Sequence, residues 1–158
     1  MSVTDSPPSR ASQILAKHGV EEDFSFYREF DSEEEKAVLT VPQRIQDGWR
    51  RNDADFFASH FVENGSLLMQ DNQLTSREQI REYMAAGFES YFKGARVTGW
   101  PLAVRFLSEG VAMAVTEGGI ILDGETEIAP SRRIRAVWVV VERDGEWKLF
   151  SHQSSPIS

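Results

Sequence analysis

Val38, Val41, Ile45 and Trp49 recur at the three- and four-residue spacing of a helix. Ser32 and Glu35 ahead of them form a capping-box pattern, and Glu33–Glu35 suit a helix N-terminus. Pro42 either kinks this helix or marks the first turn of a later start. Asn52-Asp53 caps a short second helix that buries Phe56, Phe57 and Phe61. Asn64-Gly65 turns into a strand at Ser66–Gln70, and Asp71-Asn72 is the next turn. Ser76 and Gln79 repeat the capping-box pattern before a third helix, whose apolar stripe is Ile80, Tyr83, Met84, Gly87, Phe88 and Tyr91. After Gly94 the period shortens to two. Strands are predicted at about Arg96–Leu107 and Val111–Leu122, with a bend at Trp100-Pro101. The order ααβαββββ has no βαβ repeat, so the predicted class is α+β: a cone-shaped fold whose curved, mostly antiparallel sheet wraps on three helices.

The last two strands form a hairpin. Asp144-Gly145 between alternating runs is a strong type I′ turn signal, because both central residues need φ > 0. A two-residue loop predicts the register. Trp138 then opposes Ser151 and Ala136 opposes Gln153 on the face of Trp147 and Leu149. Val139 opposes Phe150, Val137 opposes His152 and Arg135 opposes Ser154 on the other. Both faces are apolar in the middle, so each needs a cover: helices on one side, a second chain or segment on the other. A bulge would exchange His152 and Gln153 between the faces, since a one-residue slip flips every side chain.

The chain has 158 residues and a 41% hydrophobic fraction, enough for one domain with a real core. It lacks cysteine, which excludes disulfides and thiol chemistry and fits the cytoplasm. No run is long enough to span a membrane, and no apolar signal core opens the chain. A net charge of −8 argues against nucleic acid as a partner. That charge is uneven: residues 1–36 carry −5 and residues 37–158 carry −3. The domain reading is therefore an acidic N-terminal extension or arm, residues 1–31, and a single α+β domain, residues 32–158. Within the extension, residues 1–10 read as a flexible tail and Arg10–His18 as a short helix stopped by Gly19. Phe24, Phe26 and Tyr27 leave two readings open, a disordered leader or an arm whose aromatics cover part of the domain.

Several stretches then resemble a known superfamily. The segment Trp49-Arg-Arg-Asn-Asp-Ala-Asp-Phe is similar to the helix–helix joint of nuclear transport factor 2-like proteins. FVENGSLLMQD and TSREQIREYM match the strand and capped helix that follow. The hairpin matches best: Arg-x-x-Trp-Val-x-Val from Arg135, Asp-Gly-x-Trp-x-Leu from Asp144, then a polar residue six positions after Trp147, here Gln153. The resemblance covers roughly residues 37–157. Within the superfamily the chain looks most similar to the SnoaL-like, SgcJ/EcaC-type proteins of enediyne antibiotic biosynthesis. It implies a cone with a pocket between the concave sheet face and the helices, and a homodimer. It does not imply an activity, because the fold hosts isomerases, cyclases, dehydratases and binding modules.

Candidate chemistry is sparse. Glu117 shares a strand face with Val111, Met113 and Val115, and a carboxylate on an apolar face would suit a general base. The plainer reading is that it points to solvent. Trp100, Trp138, Tyr83, Met84, Phe88 and Met113 are the candidate lining of an apolar pocket, with Gln153 as its polar group. Arg135 reads either as a ligand clamp or as an ion pair at a dimer interface. His18, His60 and His152 show no metal spacing, and no cofactor motif is present, so neither a metal nor a cofactor is expected. The first expectation is a protein that holds a hydrophobic polyene-like intermediate, dimeric through the outer sheet face. The second is an acid–base cyclase or isomerase with Glu117 as base and Gln153 or Tyr83 as donor. The third is a purely structural dimerisation domain.

Overall fold

The computed structural model describes residues 8–157. Most of the expected flexible tail, residues 1–10, lies outside the described residues; Ser9 and Arg10, at its end, already belong to an ordered helix. The chain runs through α1 (Arg10–Lys17), a 3₁₀ turn (Phe24–Tyr27), α2 (Glu33–Arg51), α3 (Ala54–Ser59), β1 (Phe61–Met69), β2 (Asn72–Leu74), α4 (Arg77–Phe88), β3 (Arg96–Ser108), β4 (Val111–Ile121), β5 (Arg133–Arg143) and β6 (Glu146–Pro156). The helices and a curved, unclosed six-stranded sheet of order β2-β1-β6-β5-β4-β3 make the α+β cone predicted from the pattern. All neighbours are antiparallel except β1 and β6. That parallel pair joins residues far apart in the chain, so local pattern does not show it.

Local chemistry sets the element ends. Ser32 and Glu35 close a full capping box on α2, and Ser76 caps α4 through the Gln79 N–H. The Gln79 side chain turns instead to the Thr75 N–H, at 2.9 Å. Pro42 neither starts nor ends α2; the helix runs through it and is buried along most of its length. The buried face of α2 meets an aromatic cluster. The Trp49 ring lies 5.4 Å from Phe88 and 5.0 Å from Phe92, both edge-on. Asp144 (φ 54°) and Gly145 (φ 80°) form the expected left-handed turn.

The hairpin register follows the prediction only as far as Val140–Leu149. There the pairing slips, and Val139 opposes Ser151, leaving Phe150 as the extra residue of a bulge. Beyond it Trp138 opposes His152 and Val137 opposes Gln153. The other side of β6 is irregular at the same place. Its parallel pairing to β1 also shifts register, between Phe61–Leu149 and Ser66–Ser151.

Behind the hairpin turn sits a buried polar cluster. Arg44 of α2 is fully buried and Glu146 is 2% exposed. The Arg44 guanidinium donates to Glu146 Oε1 at 3.2 Å, to His60 Nδ1 at 3.2 Å and to the Trp147 carbonyl. The N-terminal arm docks on the same carboxylate: Lys17 reaches Glu146 at 2.9 Å and His18 reaches it at 2.8 Å. The aromatics of residues 24–30 therefore cover the domain: Phe26, Tyr27 and Phe30 are buried, while Phe24 is exposed.

Burial alone would raise the Glu146 carboxyl, but hydrogen bonds from Lys17 and His18 and the charges of Lys148 and Arg44 outweigh it and hold it at about 2. Burial, with the Arg44 charge, pushes His60 down to about 2, and burial lowers His18 despite its Glu146 partner. Below pH 6.5 the unfolded chain therefore takes up protons that folded His60 refuses, so His60 favours folding fully above pH 6.5 and less as pH falls toward 2. Glu146 contributes above pH 4.5 and ceases to as pH falls through about 2. The expected outcome is a urea midpoint that drops as pH falls from 7 to 5. His60→Asn keeps an acceptor for Arg44 but cannot titrate, so it should remove up to about 1.4 kcal/mol per pH unit of that slope. An unchanged slope in the variant would refute the assignment.

Candidate functional site

The concave face of the sheet and α2 enclose a cavity of about 290 Å³, near the small end of the range of roughly 300–1,000 Å³ for small-molecule sites. Inward positions of the central strands form one wall. Thr116 and Gly118 come from β4, Ile134, Ala136 and Trp138 from β5, and His152 and Ser154 from β6. Leu67 of β1, Pro42, Ile45 and Gln46 of α2, and Phe26 of the arm close other sides. The space exists because several of these side chains are short. At Gly118 a Cβ would lie 2.1 Å from the Thr98 carbonyl oxygen, and at Gly99 it would lie 2.6 Å from that of Glu117. The β3 and β4 backbones thus pinch together where they border the cavity.

The cavity's titratable centre is His152. Its ring stacks on Trp138, with centroids 3.7 Å apart and planes at 24°. Nδ1 lies 3.3 Å from the Val137 carbonyl. A carbonyl only accepts, so Nδ1 carries the proton and Nε2 presents a lone pair. Burial holds the imidazole down at about 4 against the opposing effect of the Val137 hydrogen bond, so it is neutral at pH 7. Cavity space reaches the ring, which is why a side chain so deep in the protein is still half-exposed. Trp138 in turn donates its indole N–H to Thr116 Oγ1 at 2.8 Å. With its oxygen already accepting, the Thr116 hydroxyl has its own hydrogen to donate. The wall therefore offers a neutral acceptor and a hydroxyl donor in a mostly apolar surround that also includes Gln46, Ser154 and Arg132.

Most of the predicted site residues do not line this cavity. Trp138 lines the cavity. Gln153 does not: the Phe150 bulge puts it opposite Val137 on the outer face, where it donates to Ser66 Oγ at 3.1 Å, while His152 takes the inner position. Glu117 borders the cavity along its strand, but its carboxylate is held by Arg135 at 2.9 Å and Arg133 at 2.8 Å, on the outer face they share by register. The Arg135 hydrogen bond foremost, with Arg133, holds that carboxyl below its ordinary value, the reverse of a base poised near neutrality. Arg135 is accordingly an ion-pair partner within its own chain. Met84 and Phe88 are core under α4. Tyr83 stands one step away, donating its hydroxyl to Gln70, a lining residue, at 2.7 Å. Met113 and Trp100 lie on the outer face by register, Trp100 beneath the Arg28 guanidinium at 5.6 Å. Thr116, Ala136 and Phe26 were absent from the sequence candidates. The first two sit at inward positions of strands already predicted, and their small size hid them.

Among the described residues no group of three or more His, Cys, Asp or Glu side chains is placed to hold a metal ion. No helix of the described residues is long and apolar enough to cross a membrane.

Comparison with known proteins agrees with this fold. Residues 38–158 match the SnoaL-like domain family. No curated protein matches. Among solved structures, a domain of unknown function with a cystatin-like fold from Nostoc punctiforme is similar, at 26% identity and a TM-score of 0.71, over 78% of this chain and 77% of that one. A candidate scytalone dehydratase from Novosphingobium aromaticivorans shares 19% identity over 79% of this chain and 85% of its own, with a TM-score of 0.66. A candidate calcium/calmodulin-dependent protein kinase II association domain from Xanthomonas campestris shares 21% over 82% and 91%, also at 0.66. The last two likenesses show the fold alone.

Two outcomes check the site. In an NMR titration His152 should be neutral at pH 7, protonated at Nδ1, and should titrate near 4; a value at the ordinary 6.5 would refute its placement. Gly118→Ala should cost about 3 kcal/mol in urea denaturation, because backbone rather than a flexible side chain must move.

Proposed function

The chain belongs to the SnoaL-like domain family, and we propose that it binds a hydrophobic small molecule in this cavity as an accessory protein of secondary-metabolite biosynthesis. The observation that carries the reading is the cavity itself, about 290 Å³ of mostly apolar wall with a neutral imidazole stacked on an indole. A flat, conjugated chain suits the stacked Trp138–His152 pair, and one hydroxyl or carbonyl on it suits Thr116 or His152. The resemblance of the closing hairpin to enediyne-pathway proteins narrows the proposed ligand to a polyene-like polyketide intermediate. Titration with cis-parinaric acid, a linear conjugated tetraene, should give saturable fluorescence enhancement with a micromolar Kd. Trp138→Ala should weaken it roughly tenfold. Absence of saturation at high micromolar probe would refute the reading.

A second reading is supported by one observation, the Nε2 lone pair inside the cavity. It could accept a proton from a polyketide intermediate while the Thr116 hydroxyl donates to the developing enolate, which is cyclase or isomerase chemistry without a cofactor. His152→Phe separates the two. It keeps an aromatic stack and should retain probe binding within a few-fold, yet would abolish any turnover.

The outer sheet face supports a homodimer as part of the same proposal. Val137 and Phe150 are exposed there, beside Met113 and Val139. Sedimentation should show a dimer that Val137→Asp converts to a monomer. A wild-type monomer at tens of micromolar would refute it.

A further inference from the structure

Of the cavity-lining residues, Phe26 alone precedes α2 among the described residues. It lies outside the stretch that matches the family, residues 38–158, and is contributed by the arm. The arm is held at both ends. At its start Arg10 bonds Glu34 at 2.9 Å and pairs with Glu142, and Lys17 and His18 bond Glu146. In the middle Arg51 donates to the Gly19 carbonyl at 2.8 Å, and the Asp23 N–H donates to Gln43 at 2.9 Å. At its end the Arg28 guanidinium lies over Trp100 of the edge strand β3. These contacts fix the 3₁₀ turn between α2 and β3, and with it the Phe26 ring.

The other walls have little freedom to change. Gly99 and Gly118 admit no Cβ, and Trp138 is tied to Thr116 and His152. Phe26 is different: it sits on a short turn that belongs to no strand and is held by the polar contacts above together with the buried Tyr27 and Phe30, so its size can vary without altering strand pairing.

Taking the cavity as a ligand site, as proposed above, we infer that the arm is its selectivity element and that Phe26 is the specificity-determining side chain, setting the length of apolar chain the cavity accepts. A smaller residue at 26 admits a longer chain, and a larger one excludes it.

The test uses the full chain and two probes, cis-parinaric acid and sorbic acid, a short diene of the same chemical class. Wild type, Phe26→Leu, Phe26→Trp and Phe24→Ala are titrated with both. Phe24 belongs to the same turn but is exposed, so its variant controls for disturbance of the arm. The ratio of long-probe to short-probe affinity should rise roughly tenfold in Phe26→Leu and fall by a similar factor in Phe26→Trp. Phe24→Ala should match wild type. Both position-26 variants keep an apolar side chain, and unchanged circular dichroism shows that they fold. Equal ratios in all four proteins would overturn the arm's role and leave ligand binding standing. No saturable binding of either probe by wild type would overturn the ligand-site reading, and this inference with it.

Discussion

A guanidinium sealed from water constrains the rest of this structure. Arg44 is fully buried, and an unpaired charge there would cost several kcal/mol. Its partners are therefore fixed in place. Glu146 opens β6, the Trp147 carbonyl follows it, and His60 ends the turn after α3. One side chain on α2 thus sets where the hairpin meets the helices, and the hairpin carries part of the cavity wall, including Trp138 and His152. The same Glu146 carboxylate receives Lys17 and His18. The arm and the hairpin therefore share one anion, and neither can shift without disturbing the other.

The chemistry of the cavity follows from a single extra residue. Phe150 is left out of the ladder, and every position after it on β6 changes face. Without that bulge Ser151 would oppose Trp138 and the Gln153 amide would share its face opposite Ala136; with it, an imidazole stacks on the indole. Glutamine is no base, whereas a neutral imidazole with a free lone pair can accept a proton or a hydrogen bond. The carboxylate that seemed the better base, Glu117, is neutralised by two arginines on the outer face. The imidazole that faces the cavity therefore comes from β6, while the carboxylate of β4 is tied up outside it.

Element identities were legible where their causes are local. Ser32, Ser76, Gly19 and Asp144-Gly145 mark ends through capping and turn chemistry that acts within a few residues. The three-residue β2, the parallel β1–β6 pair and the bulge were not legible, because each depends on a neighbour distant in the chain. The cavity lining was not legible for a second reason. A helical stripe of large aromatic and sulfur-containing side chains signals burial but not a cavity wall, and Met84 and Phe88 fill space rather than surround it. The cavity opens where side chains are short, at Gly118, Thr116 and Ala136. A small residue on a strand carries no signal unless its opposite wall is known. Phe26 was visible only as part of an aromatic cluster with two possible fates.

The arm's distant anchor has a consequence for how the chain matures. The His18–Glu146 contact spans 128 residues, so this anchor of the arm cannot form until β6 has been made. Until β6 is made, the arm that carries Phe26, Tyr27 and Phe30 lacks its Glu146 anchor. Transient exposure of aromatic surface invites aggregation. The excess of acidic residues in this segment, net −5 over residues 1–36, supplies repulsion during that interval. The uneven charge of the sequence thus falls on the segment whose docking depends on the most distant contact.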